Sequence, residues 1–97
     1  MEQNSSGITI TLIGTGNVGT HLGYKLKEAG HRIVQVAGRN SERTAKLAGI
    51  LQSAWTTDLA ALQTDVSLVI LCVNDSSLEE VIGKINAGNT LIAHTAG

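Results

Sequence analysis

Ile8-Thr9-Ile10-Thr11-Leu12-Ile13 runs directly into Gly14-Thr15-Gly16-Asn17-Val18-Gly19 near the start of the chain. The first six residues are β-branched or aliphatic and predict a buried strand, while the next six form a G-x-G-x-x-G turn. After the turn, apolar residues recur at the spacing of a helix, which Gly30 is expected to end: Val18, Leu22, Leu26 and Ala29. The chain therefore opens with a strand, a glycine turn and a helix.

Further strands are predicted along the rest of the chain. The patterns place them at residues 32–37, 66–73 and 90–94, with a short edge strand within residues 50–55. Residues 66–73 are apolar on both faces, which is typical of a central parallel strand covered by helices on each side. With the intervening helices, these strands predict a single doubly wound α/β domain over residues 1–97, with a parallel sheet in the order 3-2-1-4-5. A ligand crevice is expected at the carboxyl ends of strands one and four.

The helices between these strands have recognisable ends. One helix is predicted from Ser41 to about Ala48, where Gly49 should stop it. Another should follow the S-x-x-E capping box of Ser77-Leu78-Glu79-Glu80, which precedes apolar residues at helical spacing. A shorter helical turn is expected after Thr57-Asp58, because Asp is a favoured helix cap.

Composition excludes several classes of protein. The chain has 97 residues, 42% of them apolar and 15% charged, which is enough for one small globular domain. A net charge of −1 without a run of Lys or Arg argues against nucleic-acid and acidic-membrane partners. No signal segment is present, and no apolar run approaches the roughly 18 residues of a spanning helix, so a soluble protein is expected. Cys72 is the single cysteine and has no ligand partner at metal spacing, so we expect a reducing cytoplasm and no metal site.

The glycine turn has the context that dinucleotide binding requires. It follows a strand, opens a helix and lies in a unit of about 30 residues that ends in a second strand. Gly14 would allow the tight turn, Gly16 would leave room for a pyrophosphate, and Gly19 would let the helix pack close to the sheet. The amides of Asn17 and Val18, at the positive end of the helix, would face the phosphates. Taken alone, the same motif could also be a flexible surface turn.

The segment after the second strand lacks the acid that NAD-specific domains use to bind the adenosine ribose. No Asp or Glu occurs between Ala29 and Ser41. Arg39, Asn40 and Ser41 instead offer a guanidinium, an amide and a hydroxyl beside a helix start, which could hold a 2′-phosphate. NADP is therefore favoured as the cofactor, and NAD stays open. Arg39 could otherwise be a solvated loop cation, and Asn40 or Ser41 a helix cap.

Four segments carry a likeness to a known family. They are the glycine motif, Gly38-Arg39-Asn40-Ser41, Leu71-Cys72-Val73-Asn74-Asp75 and His94-Thr95-Ala96-Gly97. Over essentially its whole length, the chain resembles the N-terminal, Rossmann-type NAD(P)-binding domain of the Rossmann-like NADP oxidoreductases. That superfamily includes pyrroline-5-carboxylate reductase, the deazaflavin-dependent NADP reductases and the 6-phosphogluconate dehydrogenase type. The resemblance is moderately specific for the cofactor and poorly specific for the reaction.

The resemblance implies where the cofactor lies. It assigns the whole glycine motif, Thr15 included, to cofactor binding. It places Val73, Asn74 and Asp75 near the central ribose, and His94 and Thr95, with Ala96, near the nicotinamide. One departure is Gly19, because many NADP-specific relatives carry Ala at that position.

The resemblance also implies a longer parent protein. A mostly helical C-terminal domain would follow, form a homodimer and supply most of the pocket for a small carbonyl or imine-type substrate. The 97-residue domain alone is then expected to lack a complete hydride-transfer site, and its catalytic residues are unassigned.

Several single residues and two other functions remain as alternatives. His94 could donate a proton or be structural, and Asp75 could contact a ribose or cap a helix. Cys72 is expected to be a small buried residue rather than a nucleophile. A nucleotide-sensing regulatory module, or a methyltransferase-like domain that binds S-adenosylmethionine, would use the same glycine turn. Both usually need the acid after strand two that this chain lacks.

Overall fold

Strands and helices alternate as the sequence predicts. The computed structural model describes residues 7–73, 75–85, 88 and 90–95, and within them five strands, three α-helices and one 3₁₀ helix form. The longest helix has 12 residues, and none in the described ranges is long and apolar enough to cross a membrane. The elements are β1 Thr9–Ile13, α1 Asn17–Glu28, β2 Arg32–Ala37, α2 Ser41–Leu51, β3 Ala54–Thr56, a 3₁₀ helix Leu59–Ala61, β4 Leu68–Leu71, α3 Asp75–Lys84 and β5 Leu91–His94.

The five strands form one parallel sheet in the order β3-β2-β1-β4-β5, which confirms the predicted topology. Ile13 at the end of β1 pairs with Ala37 of β2 and Leu71 of β4. The ladder continues past the strand ends, because the Gly14 amide donates to the Ala37 carbonyl at 2.8 Å and the Cys72 amide donates to the Ile13 carbonyl at 2.7 Å. These bonds bring the glycine turn and the segment after β4 to the same carboxyl edge of the sheet.

Apolar layers cover both faces of the sheet, as a doubly wound fold requires. One layer joins the sheet to α1 and α2 and includes Leu12, Val36, Leu47 and Leu51, which are buried. The other joins the sheet to α3 and the 3₁₀ helix, with Val81 as its buried helical residue. Because helices cover each face, the central strands are apolar on both sides, as the sequence of residues 66–73 indicates.

Two buried polar side chains position the segment that follows β3. Thr11 Oγ1 donates a hydrogen bond to the Gln63 carbonyl at 2.6 Å. Gln35 Oε1 accepts a hydrogen bond from the Gln63 amide at 2.7 Å, and both side chains are buried. The loop that carries the 3₁₀ helix is therefore attached to the face of β1 and β2 by hydrogen bonds as well as by apolar packing.

Helix α2 is longer than predicted, because Gly49 does not end it. Gly49 is exposed, and a Cβ built there would meet no atom within 4 Å, so glycine is tolerated on the solvent side. Leu51 continues the buried face for a further turn. The left-handed residue that ends the helix is Gln52, with φ 58° and ψ 47°. The edge strand predicted within residues 50–55 accordingly forms later, at Ala54–Thr56.

Helix α3 begins earlier than predicted. Its first residue is Asp75, so Ser77 lies inside the first turn and the predicted capping box is wrong. This start agrees within one residue with the alternative in which Asp75 caps the helix. Asp58, by contrast, is the cap that the sequence predicts, since its Oδ1 accepts a hydrogen bond from the Ala60 amide at 2.9 Å. The predicted site residue Asn74 lies outside the described residues, as does Ala96.

Candidate functional site

A cleft of about 810 Å³ opens at the carboxyl edge of the sheet. Four segments line it: the glycine turn after β1, the start of α2, the residues that follow β3, and one side of α3. Cys72 and Val73, which follow β4, complete the lining. The cleft lies where the strand order reverses between β1 and β4, which is the usual ligand position in an open α/β sheet and the position that the sequence predicts.

The glycine turn has a shape that only glycine permits at two positions. Gly14 has φ +114°, and a Cβ there would collide with the carbonyl oxygen of Cys72. A Cβ at Gly19 would collide with the carbonyl oxygen of Gly14. In this loop Gly19 is therefore needed for packing, whichever cofactor binds, and its retention does not argue against NADP.

Gly16 differs from the other two glycines, because its surroundings are open. It is exposed, lines the cleft, and a Cβ built on it would meet no atom within 4 Å. It is also the N-terminal cap residue of α1, and the first amides of a helix have no acceptor within the helix. The Thr20 hydroxyl donates to the Thr15 carbonyl at 3.3 Å and holds the turn against the helix. The space and the amides together fit a pyrophosphate.

Asn40 is the N-cap of α2. Its Oδ1 accepts a hydrogen bond from the Arg43 amide at 2.9 Å, and its carbonyl accepts one from the buried Thr44 hydroxyl at 2.6 Å. The capping bond uses the oxygen of the side-chain amide, so the donor half of that group can still serve an anion. Asn40 thus fills the capping role that the sequence left open.

The two ends of the cleft are packed together behind its surface. A Cβ at Gly38 would lie 2.6 Å from Thr44 Oγ1 and 2.9 Å from Thr15 Cγ2. The side chains of Thr15, from the glycine turn, and Thr44, from α2, therefore meet at Gly38. This packing fixes the distance between Gly16 and the start of α2.

Charged side chains surround the end of the cleft beside α2. Arg39, Arg43 and Lys84 supply positive charge there, and Asp58 and Glu80 supply negative charge. Arg39 Nη2 lies 3.6 Å from Glu80 Oε1, so this ion pair joins opposite walls of the cleft. Its side chains are 78% and 61% exposed, and such pairs are screened by water and contribute little to folding stability.

Four of these charged residues were missed by the sequence analysis. Arg43 could have been found, because it lies three residues after the cap Asn40 and so in the first turn of α2. Asp58, Glu80 and Lys84 come from segments far along the chain, and no local pattern indicates that they line the same cleft as Arg39.

The predicted site residues divide between two depressions on either side of the glycine turn. The cleft takes Gly14, Thr15, Gly16, Arg39, Asn40 and Val73. A second groove, of about 510 Å³, is lined by Asn17, Val18 and Thr95 together with His21, Leu22 and Lys25 of α1. Three further predicted residues line neither depression: Gly19 lies under the turn, Ser41 starts α2 and His94 ends β5. Asp75 is the first residue of α3.

The end of β5 is held against the segment after β4. The Thr95 hydroxyl lies 3.3 Å from Cys72 Sγ as a hydrogen-bond donor, and the Thr95 amide donates to the Leu71 carbonyl at 3.0 Å. His94 Nε2 lies 3.4 Å from the Val73 carbonyl oxygen. Cys72 is buried, as the sequence predicts. These contacts place His94 and Thr95 beside the segment that follows β4, and Thr95 shares the second groove with Asn17 and Val18.

Comparison with known proteins agrees with this geometry. The model of a family described as NADP oxidoreductase coenzyme F420-dependent matches residues 9–97. The chain belongs to this family. It is therefore an NADP oxidoreductase-type nucleotide-binding domain with a Rossmann-like fold, and the resemblance seen in the sequence is confirmed. No curated protein matches the chain.

Two solved structures of similar fold are longer than this chain. A Bacteroides fragilis protein, provisionally described as an NADP oxidoreductase, shares 36% sequence identity at a TM-score of 0.87, over 93% of this chain and 36% of its own. GenD2 of gentamicin A biosynthesis, solved with NAD, shares 16% identity at a TM-score of 0.78, over 95% of this chain and 27% of its own. The second likeness shows the fold alone. The chain thus spans about a third of the length of these two proteins.

Proposed function

We propose that this domain binds NADP(H) across the carboxyl edge of the sheet, as the cofactor domain of an oxidoreductase. The pyrophosphate would lie over Gly16, and the 2′-phosphate would lie between Arg39, Arg43 and the start of α2. The observation that carries the proposal is the single cleft that holds both the open space at Gly16 and the basic start of α2. A dinucleotide with a phosphate at each of these positions has the charge distribution that this cleft favours.

The start of α2 suits a phosphate better than a pair of ribose hydroxyls. A ribose diol needs an acceptor, and the segment Gly38-Arg39-Asn40 between β2 and α2 carries a cation and an amide but no carboxylate. The acceptor half of that amide is already bonded to the Arg43 amide, which leaves donors for the ligand. Arg43 adds a second guanidinium on the same wall. This arrangement supports NADP over NAD.

The nicotinamide half would extend over the glycine turn toward the second groove. Asn17 and Val18 start α1 there, and His94 and Thr95 end the neighbouring β5 segment. When bound, the cofactor supplies the hydride. The residues of this chain anchor its phosphates, orient the ring and present one ring face to the substrate. His94 remains a candidate proton donor.

The substrate and the assembly are proposed from the family. We infer a small carbonyl or imine-type substrate, and a parent protein that forms a homodimer through a helical C-terminal domain in the cytoplasm. The family match supports this class of enzyme over the nucleotide-sensing module. The domain described here supplies the cofactor half of the active site.

A titration of the purified chain with NADPH and with NADH tests the cofactor assignment. Arg39→Ala should weaken NADPH binding roughly tenfold to a hundredfold, because a charge-assisted hydrogen bond contributes about 1.5–3 kcal/mol, and should leave NADH binding nearly unchanged. Arg32→Ala is the matched control, because Arg32 is an exposed arginine at the opposite end of β2. Calorimetry gives both affinities. Equal losses for the two cofactors in Arg39→Ala would overturn the assignment.

A further inference from the structure

One carboxylate stands where it opposes the proposed binding of a 2′-phosphate. Glu80 projects from α3 into the same cleft as Arg39, and its Oε1 lies 3.6 Å from Arg39 Nη2. A phosphate bound to Arg39 would lie close to this carboxylate, and like charges at such distances repel each other. The Glu80 carboxylate therefore competes with the phosphate of the ligand for Arg39.

Glu80 has a second cation within reach. Lys84 lies one helical turn further along α3, and its Nζ is 3.7 Å from the same Oε1 atom. Because both cations meet one oxygen, Glu80 can release Arg39 and keep an ion pair with Lys84. The exchange needs only side-chain rotation, since both partners of the cleft-spanning pair are more than half exposed.

We propose that Glu80 is a specificity-determining residue, which competes with the 2′-phosphate of NADP(H) for Arg39 and passes to Lys84 when the phosphate binds. This inference rests on the proposed function. NADH carries no 2′-phosphate, so the pair between Arg39 and Glu80 persists while NADH is bound. Glu80 therefore lowers the affinity for NADPH but not the affinity for NADH. As a result, it reduces the preference of the domain for NADPH over NADH.

Neighbouring glutamates on α3 provide a matched pair of variants. Glu79 is exposed and is not among the residues that line the cleft, whereas Glu80 lines it. Glu79→Gln and Glu80→Gln remove the same charge from adjacent positions, so any long-range effect of net charge is common to both. Each variant is titrated with NADPH and with NADH, and circular dichroism verifies the fold.

Glu80→Gln should bind NADPH about two- to fivefold more tightly than the unmodified chain, because an exposed ion pair that competes for Arg39 is removed. Its affinity for NADH should not change, and Glu79→Gln should leave both affinities unchanged. Lys84→Gln should weaken NADPH binding about twofold to threefold, because Glu80 then has Arg39 as its remaining partner. In the Arg39→Ala background, the effect of Glu80→Gln on NADPH binding should be smaller, because only the direct repulsion between Glu80 and the phosphate is then removed.

Two results would overturn the inference while the proposed function stands. One is an equal response of Glu79→Gln and Glu80→Gln, which would indicate a general charge effect. The other is weaker binding of both cofactors in Glu80→Gln, which would show that the carboxylate accepts hydrogen bonds from a ribose. Failure of the proposed function has a different signature: Arg39→Ala then affects NADPH and NADH equally, and the inference falls with it.

Discussion

The two ends of the cleft achieve their shape in different ways. At the glycine turn, Gly14 and Gly19 approach backbone carbonyls so closely that no side chain fits. At the start of α2, Arg39 is largely exposed and pairs with Glu80 of a distant helix. The glycine end is therefore fixed by backbone packing, and the arginine end is adjustable by side chains. Substitution of Gly14 or Gly19 should therefore cost more folding stability than substitution of Arg39.

The largest expected effect is at the glycine end. Gly14→Ala should destabilise the fold by about 2–4 kcal/mol, because it adds a collision with the Cys72 carbonyl to a backbone with φ +114°. Gly49→Ala is the same chemical change at an exposed helical position, and it should stabilise the fold by about 0.5–1 kcal/mol. Urea unfolding measures both. Similar changes in the free energy of unfolding for the two variants would contradict the conclusion that backbone packing fixes the glycine end.

Gln35 tests how the loop that carries the 3₁₀ helix is held in the cleft wall. Gln35→Leu should destabilise the fold by about 0.5–1.5 kcal/mol, because the Gln63 amide then loses its part-buried hydrogen bond to Gln35. The 3₁₀ segment that it holds contributes Asp58 and Leu59 to the cleft, so cofactor affinity should also fall. Urea unfolding and calorimetry provide the two readouts. Unchanged stability would show that the hydrogen bond from the Gln63 amide to Gln35 does not contribute to holding the loop.

Gly16 should separate binding from folding within the glycine turn itself. Gly16→Ala adds a Cβ in open space, so the midpoint of urea unfolding should stay within the error of the unmodified chain. Affinity for both cofactors should fall about tenfold, a loss of roughly 1.4 kcal/mol, because the methyl group occupies the proposed pyrophosphate position. Retained affinity would move the phosphates away from Gly16.

Two variants of Asn40 should separate cofactor binding from folding stability at the arginine end. Asn40→Ala removes the cap and should cost about 1 kcal/mol of stability. Asn40→Asp keeps an equally good cap, but it replaces a donor with a negative charge, so it should weaken NADPH binding without a change in stability. Calorimetry with NADPH and NADH, beside urea unfolding, distinguishes the two variants. If Asn40→Asp binds NADPH as well as the unmodified chain, the 2′-phosphate does not lie at this helix start.

Local patterns in the sequence predict most of the fold. Alternating strand and helix signals give the order of the elements, and the doubly apolar β4 indicates the centre of the sheet. The end of α2 could not be predicted, because Gly49 is a stop signal in sequence but lies on the solvent side of a helix whose buried face continues to Leu51. The start of α3 was misplaced because a capping-box pattern occurs inside the first turn.

Only part of the candidate site could be predicted from the sequence. The glycine motif and the Arg39 segment are local, and their positions at one edge follow from the parallel sheet. Local sequence does not indicate which depression each side chain faces. The structure places Asn17 and Val18 in the second groove rather than in the cleft. Glu80 of α3 pairs with Arg39 across the cleft, and α3 packs on the opposite face of the sheet from α2. The sequence around Glu80 or Arg39 does not indicate this arrangement.

The most direct test of the account is an NMR titration of the ¹⁵N-labelled chain with NADP⁺, followed by the shifts of backbone amides. We expect the largest shifts at both ends of the cleft, at Gly16 and the first amides of α1 and at Arg39 to Arg43. The same titration with NAD⁺ should retain the shifts at α1 and reduce those at α2. Shifts confined to the second groove, or identical patterns for the two cofactors, would contradict the assignment of the cleft to NADP.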